Sequence, residues 1–294
     1  TVSAARGGWM GRVLSVDLGA RAVTEYPWSD EDRRTWVGGK GMAARILADL
    51  LPHGGSGPAP DPLGVDNVLV VSTGPLTGTG APSSARFNIS ALSPLTGLVA
   101  SSNCGGPFGT YLKRAGYDAL VVSGVSAEPV WLEVAEDGVT FHEADDIWGL
   151  RTSETQEALA SAVGERCGTL AIGPAGENLV RYACVLSGER AAGRAGMGAV
   201  LGSKRVKGMA AWGSRTVHVA HPEAYRAHLK KWTASIKAHP IAGGSLPRLG
   251  TAGFLGPMQE LGIVATRNFR AGRFEGAADI DGEALAARRL VGTA

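Results

Sequence analysis

Short apolar segments recur along the first 212 residues, and their pattern predicts β-strands. Residues 11–18 alternate polar and apolar positions as a half-buried strand does, and residues 23–26 can pair with them as a hairpin. Residues 67–73 form a continuous apolar run rich in β-branched side chains, which is typical of a strand buried on both faces. Further strands are predicted at 87–92, 98–102, 119–123, 130–134, 139–142, 169–172, 180–186 and 206–212.

Helical patterns lie between these strands and dominate after residue 216. Residues 29–36 begin with a serine cap and an acidic first turn, and the glycine-rich residues 38–41 precede a second helix that ends near residue 51. Residues 222–238 predict an amphipathic helix with Tyr225, Leu229, Trp232 and Ile236 on one face. The other predicted helices are 108–115, 153–163, 257–262 and 282–291, and the glycine-rich residues 243–256 are predicted to form a loop.

This change of pattern predicts an α+β protein with two domains. Residues 1–214 form a β-sheet domain with flanking helices, and residues 215–294 form the start of a helical domain that is too short to be complete.

Composition and charge narrow the function further. The net charge of +2 is too small to indicate a nucleic-acid partner, and no apolar run approaches the length of a membrane span, so neither partner is expected. The three cysteines are far apart and fit neither a disulfide framework nor a C-x-x-C metal site, which favours a reducing, cytoplasmic setting. Glycine is unusually frequent in this composition, with 43 residues, and it concentrates in the predicted loops. Anionic partners must therefore be bound locally, by these loops.

Three stretches are rich in glycine, namely residues 74–86, 101–109 and 190–204, and the first and third also carry arginine. Glycine lets backbone amides approach a phosphate closely, and arginine neutralises it, so we expect these loops to converge on one large anionic cofactor. The P-loop, dinucleotide-binding and serine-hydrolase motifs do not occur in the sequence. Cys104 lies inside one of these loops, where a packing role is favoured over a nucleophile or metal ligand.

Seven separated segments resemble, in order, those of the tungsten-dependent aldehyde ferredoxin oxidoreductases. Singly they are weak, but together they are specific, and the resemblance covers residues 7–212 and continues to residues 268–269. The segments are residues 8–12, 74–79, 81–82 with Arg86, 93–97, 113–119, 172–178 and 190–194.

The resemblance implies a base of two β-sheets that carries a bis-pyranopterin cofactor, whose four dithiolene sulfurs hold tungsten or molybdenum without a protein ligand. It implies that Arg86 lies between the pterin and a 4Fe-4S cluster, and that Asn103 and the Ala191 carbonyl contact a magnesium ion bridging the pterin phosphates. The residues expected to bind the cofactor are Arg86, Asn103, Gly105, Gly106, Arg190, Ala191, Ala192, Gly193 and Arg194.

The resemblance also implies the oxidation of an aldehyde to a carboxylic acid, with ferredoxin as the electron acceptor. Cys104 and Ala195 depart from the small serine-like and glycine residues that the family has there, and the family's C-x-x-C-x-x-x-C run is not among these 294 residues. We therefore expect a second polypeptide to supply the helical domains and the cluster. A non-catalytic pterin-binding module, an inactive remnant and one fragment of a cleaved longer enzyme are the open alternatives.

Overall fold

The chain folds as two six-stranded mixed sheets with helices packed on them, in a computed structural model that describes residues 7–51 and 60–289. The first sheet contains β1 (Val13–Asp17), β2 (Ala22–Glu25), β3 (Leu69–Thr73), β4 (Phe87–Leu92), β5 (Val99–Cys104) and β6 (Ala119–Ser123). Its strand order is β2-β1-β6-β3-β4-β5, and β1 and β6 are its one parallel pair.

The second sheet has the order β11-β10-β9-β12-β7-β8, with β7 and β12 parallel. Its strands are β7 (Val130–Ala135), β8 (Gly138–Glu143), β9 (Gly168–Ala171), β10 (Val185–Ser187), β11 (Arg190–Ala192) and β12 (Val206–Ala211). Both β5 and β11 are edge strands of their sheets.

Eleven α-helices accompany the sheets in the described part of the chain, together with 3₁₀ turns at Asp145–Ile147 and Gly250–Phe254 and a π turn at Pro240–Ser245. The helices are α1 (Asp30–Trp36), α2 (Gly39–Leu50), α3 (Phe108–Ala115), α4 (Thr152–Val163), α5 (Pro174–Glu177), α6 (Met197–Ser203), α7 (Pro222–Ala238), α8 (Leu246–Leu249), α9 (Leu255–Leu261), α10 (Ala277–Ile280) and α11 (Gly282–Arg289). None of the described helices is long and apolar enough to cross a membrane.

The strands alternate between two cores, because successive side chains of a strand point to opposite faces of its sheet. On β6, Leu120 and Val122 join the main apolar cluster, which takes residues from both sheets and from α3 and α6. The neighbouring Ala119 and Val121 join a second cluster, where α2 covers the other face of the first sheet. A third, smaller cluster lies under α4 on the second sheet.

A buried ion pair within residues 113–119 also binds the backbone of residues 8–11. The ammonium of Lys113 lies 2.5 Å from a carboxylate oxygen of Asp118 and donates a second hydrogen bond to the Gly8 carbonyl at 2.8 Å. Asp118 in turn accepts from the backbone amides of Met10 and Gly11, at 3.0 and 2.8 Å. Burial lowers the pKa of Lys113, and the nearby Asp118 opposes that shift. These residues hold the amino-terminal segment onto the first sheet.

Most sequence predictions are confirmed, and two are wrong. The bounds of β4, α3, β6 and α7 are those predicted, and Ser29 forms the expected cap of α1. The strand predicted at 180–186 is reduced to β10, because the Ala183 amide bonds to the Val180 carbonyl in a turn. Residues 243–256 form short helical turns rather than a loop, and the end of the helix predicted at 282–291 lies outside the described residues.

The structure divides into two units, Thr1–His221 and Pro222–Ala294. The first contains both sheets and all three apolar clusters. The described residues of the second contain the 17-residue helix α7 followed by shorter helices, and Arg248 and Glu283 are joined there by two hydrogen bonds of 2.8 and 2.5 Å. The functional boundary between residues 214 and 215 stays a prediction.

Candidate functional site

The edges of the two sheets come together where β5 ends and the β10–β11 hairpin turns. The hairpin pairs Ser187 with Arg190 and leaves Gly188 and Glu189 at its tip. A Cβ atom on Gly105 would lie 3.4 Å from Cγ of Arg190, so the segment after β5 lies directly against the hairpin. The Arg194 amide donates to the Ser102 hydroxyl at 3.1 Å and joins the same two edges a second time.

Arg86 and Asn103 are joined at the centre of this region. Nη1 of Arg86 donates to Oδ1 of Asn103 at 2.6 Å. Asn103 pairs with Asn88 across β4 and β5, and its side-chain amide donates to Oδ1 of Asn88 at 3.4 Å. Both side chains are thereby oriented by the first sheet, with Arg86 and Asn103 exposed at its end.

Two cavities flank this pair. The first, of about 580 Å³, is lined by residues 83–86 and 189–191 together with Ala81, Asn103 and Gly105. The second, of about 520 Å³, is lined by residues 101–103 together with Lys40, Arg86, Ala191, Gly193 and Arg194. Arg86, Asn103 and Ala191 line both. The two cavities are thus similar in size and share one wall.

The side chains of the two cavities are strongly cationic. Arg86 lines both cavities, Arg190 the first, and Lys40 and Arg194 the second. Glu189 is the one carboxylate among these lining residues. Among the residues that the structure describes, Lys40, Arg190 and Arg194 form no ion pair. Their charge is therefore available to an anionic ligand.

Cys104 lies beneath the cavities and belongs to the main apolar cluster. Burial raises the pKa of its thiol to about 11, although the positive charges of Arg86 and Arg190 oppose the shift. The thiol is therefore protonated at neutral pH and is not a nucleophile. This supports the packing interpretation.

Two of the residues expected at the cofactor, Gly106 and Ala192, line neither cavity. Ala192 is buried in the main cluster. Gly106 has φ +91°, and a Cβ atom there would lie 2.3 Å from the Ser187 carbonyl oxygen, so this glycine lets the chain pass close to the hairpin. The first amide of α3, on Phe108, faces the Ser187 hydroxyl at 3.3 Å, which leaves it inside the protein rather than directed at an anion.

Sequence reasoning missed Lys40 and Glu189. The glycines of residues 38–41 predicted a fourth candidate backbone surface, but Lys40 itself was not among the expected cofactor residues. Glu189 forms the two-residue turn of the hairpin together with Gly188. A prediction of the β10–β11 hairpin would have been needed to find Glu189, because this hairpin brings Glu189 into the cavity that Arg86 also lines.

Two family models match nearly the whole chain. One, described as aldehyde ferredoxin oxidoreductase, N-terminal domain, covers residues 13–213. The other, described as aldehyde ferredoxin oxidoreductase, domains 2 & 3, covers residues 227–294. The chain belongs to the aldehyde ferredoxin oxidoreductase family. The order of the seven segments in the sequence and the two-sheet base implied by the resemblance are consistent with this membership.

Curated members of the family are similar over almost all of the chain. A tungsten-containing aldehyde ferredoxin oxidoreductase of Thermococcus kodakarensis is 40% identical over 287 residues, which are 97% of this chain and 46% of that protein. The Pyrococcus furiosus protein of the same description is 39% identical over the same shares. The chain thus spans about half the length of the curated relatives it matches.

Other relatives carry different descriptions. An aliphatic sulfonate oxidoreductase, WOR-like subunit, of Pyrococcus furiosus is 34% identical over 229 residues, 73% of this chain and 35% of that protein. A solved structure described as the active site complex BamBC of benzoyl coenzyme A reductase with 1,5-dienoyl-CoA superposes with a TM-score of 0.75. It is 35% identical, and the match covers 79% of this chain and 35% of that one.

Proposed function

We propose that this chain is the pterin-binding base of a tungsten- or molybdenum-dependent enzyme that oxidises aldehydes to carboxylic acids. The observation that carries the proposal is the pair of similar cavities that meet at Arg86, Asn103 and Ala191. A cofactor with two pterins needs two such spaces on either side of one centre. Unpaired cations and glycine backbone are the groups that phosphates and flat rings require.

The residues of each cavity have separate tasks in this proposal. Arg190 in the first cavity and Arg194 in the second bind the phosphate of one pterin each, while Gly105 and Gly193 leave room for the rings. Asn103 and Ala191 line both cavities, and the Asn103 side chain and the Ala191 carbonyl would offer oxygen ligands to a magnesium ion that binds with the phosphates. Oδ1 of Asn103 already accepts from Arg86 and has a second lone pair for the ion.

Among the described residues, no group of three His, Cys, Asp or Glu side chains could hold a metal ion. In this proposal the sulfurs of the cofactor itself would hold the metal. When bound, that group supplies the two-electron oxidation of the substrate and releases the electrons one at a time. Arg86, at the wall shared by both cavities, is the residue of this chain placed to orient the centre of the cofactor.

The remaining parts of domains 2 and 3 complete the enzyme in this proposal. They supply the 4Fe-4S cluster, the substrate pocket and the docking surface for ferredoxin, on the same polypeptide or on a partner. Two observations support this: the chain spans 46% of its curated relatives, and the similar benzoyl coenzyme A reductase structure is described as a complex. A pterin-binding module without catalytic activity is the competing function.

The test measures tungsten, molybdenum, iron and pterin in natively purified protein, with and without the polypeptide that carries the remaining domains. Tungsten or molybdenum with pterin and iron in the complete assembly, together with aldehyde oxidation, is the expected result. Pterin without iron in that assembly supports the non-catalytic module. Protein with neither pterin nor metal contradicts the proposal.

The double variant Arg190→Ala with Arg194→Ala tests the site in the same assay. Each substitution removes a charge-assisted contact of about 1.5–3 kcal/mol, and each is therefore expected to weaken cofactor binding by about 10- to 150-fold. Arg166→Ala is the matched control, because Arg166 is exposed and lines neither cavity. Equal pterin content in the double variant and the control would show that neither Arg190 nor Arg194 binds the cofactor.

A further inference from the structure

The lysines of the first unit divide into three that serve the fold and one that faces a cavity. Residues 1–221 contain four lysines, and Lys113, Lys204 and Lys207 are fully buried. Their ammonium groups donate to the carbonyls of Gly8, Gly124 and Leu150, respectively. Lys40 is exposed and lines the second cavity. Its ammonium is therefore not committed to the fold as the other three are.

The backbone that carries Lys40 is held firmly in place. Gly39 is buried, and its carbonyl accepts a hydrogen bond from the Ser72 hydroxyl at 3.0 Å. A Cβ atom on Gly39 would lie 2.9 Å from the side-chain nitrogen of Asn88, so α2 approaches β4 closely at this point. Asn88 is the cross-strand partner of Asn103, which lines both cavities. The position of Lys40 beside the second cavity is thus fixed by the first sheet.

The two cavities differ in charge because Glu189 lines only the first and Lys40 lines only the second. The first contains Arg190 and the carboxylate of Glu189, whose charges cancel. The second contains Lys40 and Arg194 and no carboxylate. Arg86 contributes equally to both. The second cavity is therefore more positive by two unit charges than the first.

We infer that Lys40 is a phosphate-binding residue and makes the second cavity the stronger of two unequal phosphate sites. This inference rests on the proposed pterin function and adds a residue and a ranking to it. Lysine binds phosphate as a point charge, and the carboxylate of Glu189 repels a phosphate in the first cavity. The pterin in the second cavity is then the one whose phosphate is held more tightly.

The experiment titrates the metal-free full chain with inorganic pyrophosphate in a calorimeter. Wild-type protein is expected to show a stronger and a weaker site. Lys40→Ala weakens the stronger site by about tenfold or more, since a charge-assisted hydrogen bond is lost, while Lys40→Arg retains it. Glu189→Gln strengthens the weaker site and leaves the stronger one unchanged. Lys231→Ala, an exposed lysine on α7, is the control.

Equal affinities for Lys40→Ala and Lys231→Ala would overturn the inference, as would a single class of site in the wild-type protein. A Glu189→Gln variant that binds pyrophosphate more weakly would contradict the assigned role of Glu189. These outcomes are independent of the proposed function, which fails when the natively purified enzyme contains no pterin. If the chain binds pyrophosphate at two unequal sites and the purified enzyme contains no pterin, the proposed function fails while the unequal phosphate sites remain supported.

Discussion

At the scale of single residues, Lys204 shows what it costs to bury a charge in this fold. Its side chain is fully buried at the end of α6, and its ammonium donates to the Gly124 carbonyl at 2.9 Å. Burial lowers the pKa of Lys204 to about 8, and the negative charge of Asp66 opposes the shift only in part. Protonated Lys204 therefore destabilises the folded state relative to the unfolded chain, where the amine has its ordinary pKa.

The free energy of unfolding should consequently rise with pH. Between the folded pKa of about 8 and the unfolded value of 10.5, the unfolded chain binds more protons, so alkali favours the folded state. Relative to Lys204→Met, wild-type protein should gain about 2–3 kcal/mol between pH 7.5 and 10. Chemical denaturation of both proteins across this range measures the difference, in which the other titrating groups cancel. A difference that stays constant with pH would show that the pKa of Lys204 is the same in the folded protein and in the unfolded chain.

At the scale of elements, the β10–β11 hairpin determines whether the candidate site exists at all. Its tip and second strand supply Glu189, Arg190 and Ala191 to the first cavity, and Ala191 also lines the second. Its first strand is held by Ser187, whose carbonyl oxygen lies against Gly106 and whose hydroxyl faces the Phe108 amide. Packing between β5 and the hairpin therefore sets the width of both cavities.

Gly106→Ala should disturb this packing and the site together. The new methyl group would meet the Ser187 carbonyl at 2.3 Å, and the residue would also have to adopt φ +91°. We expect a loss in unfolding free energy greater than the roughly 1–2 kcal/mol of a left-handed backbone alone, and weaker pyrophosphate binding. Gly97→Ala isolates the backbone contribution, because Gly97 has φ +71° and open space around it. Similar losses in the two variants, with pyrophosphate binding intact, would contradict this role of Gly106.

The sequence predicted the long elements of the fold better than the hairpin. Strands such as β4 and β6 carry enough apolar positions to be identified alone, and Ser29 marks the start of α1 unambiguously. The strands of the hairpin have three residues each, which is too short for an alternation to be distinctive. Lys40 and Glu189 were missed because each lines a cavity only through tertiary packing, which the local sequence pattern does not reveal. Arg86, Arg190 and Arg194 were predicted to contact an anion because their loops are rich in glycine, and the resemblance added Asn103; these roles stay predictions.

At the scale of the whole molecule, the apolar core belongs to the first unit. The three clusters of buried apolar residues lie between Val13 and Ala211. In the described residues after 221, Ala277 is the one buried apolar side chain. The helix α7 has no buried residue, and Trp232 on its apolar face is 44% exposed. The second unit thus contains little that could stabilise it by itself.

A chain of residues 1–221 should therefore unfold cooperatively with nearly the stability of the full chain. We expect the free energies of unfolding to agree within about 1 kcal/mol, because the removed residues bury almost no apolar surface of their own. Denaturation followed by tryptophan fluorescence and by circular dichroism makes the comparison, and pyrophosphate titration checks the site. A shortened chain that is unfolded or aggregates would show that the two units stabilise each other.

The strand order of the first sheet also sets the sequence of events as the chain is synthesised. Strand β1 is paired with β6, so Val13 can pair only after Ala119 has been synthesised, and the first sheet cannot be complete before then. The second sheet closes later still, since Val130 in β7 is paired with Val206 in β12. Such distant pairings are slow to form, because a long loop must be closed before any contact is gained. The candidate site, built from the edges of both sheets, is accordingly among the last parts to assemble, and a ligand that needs both cavities can bind only after β12 has been synthesised.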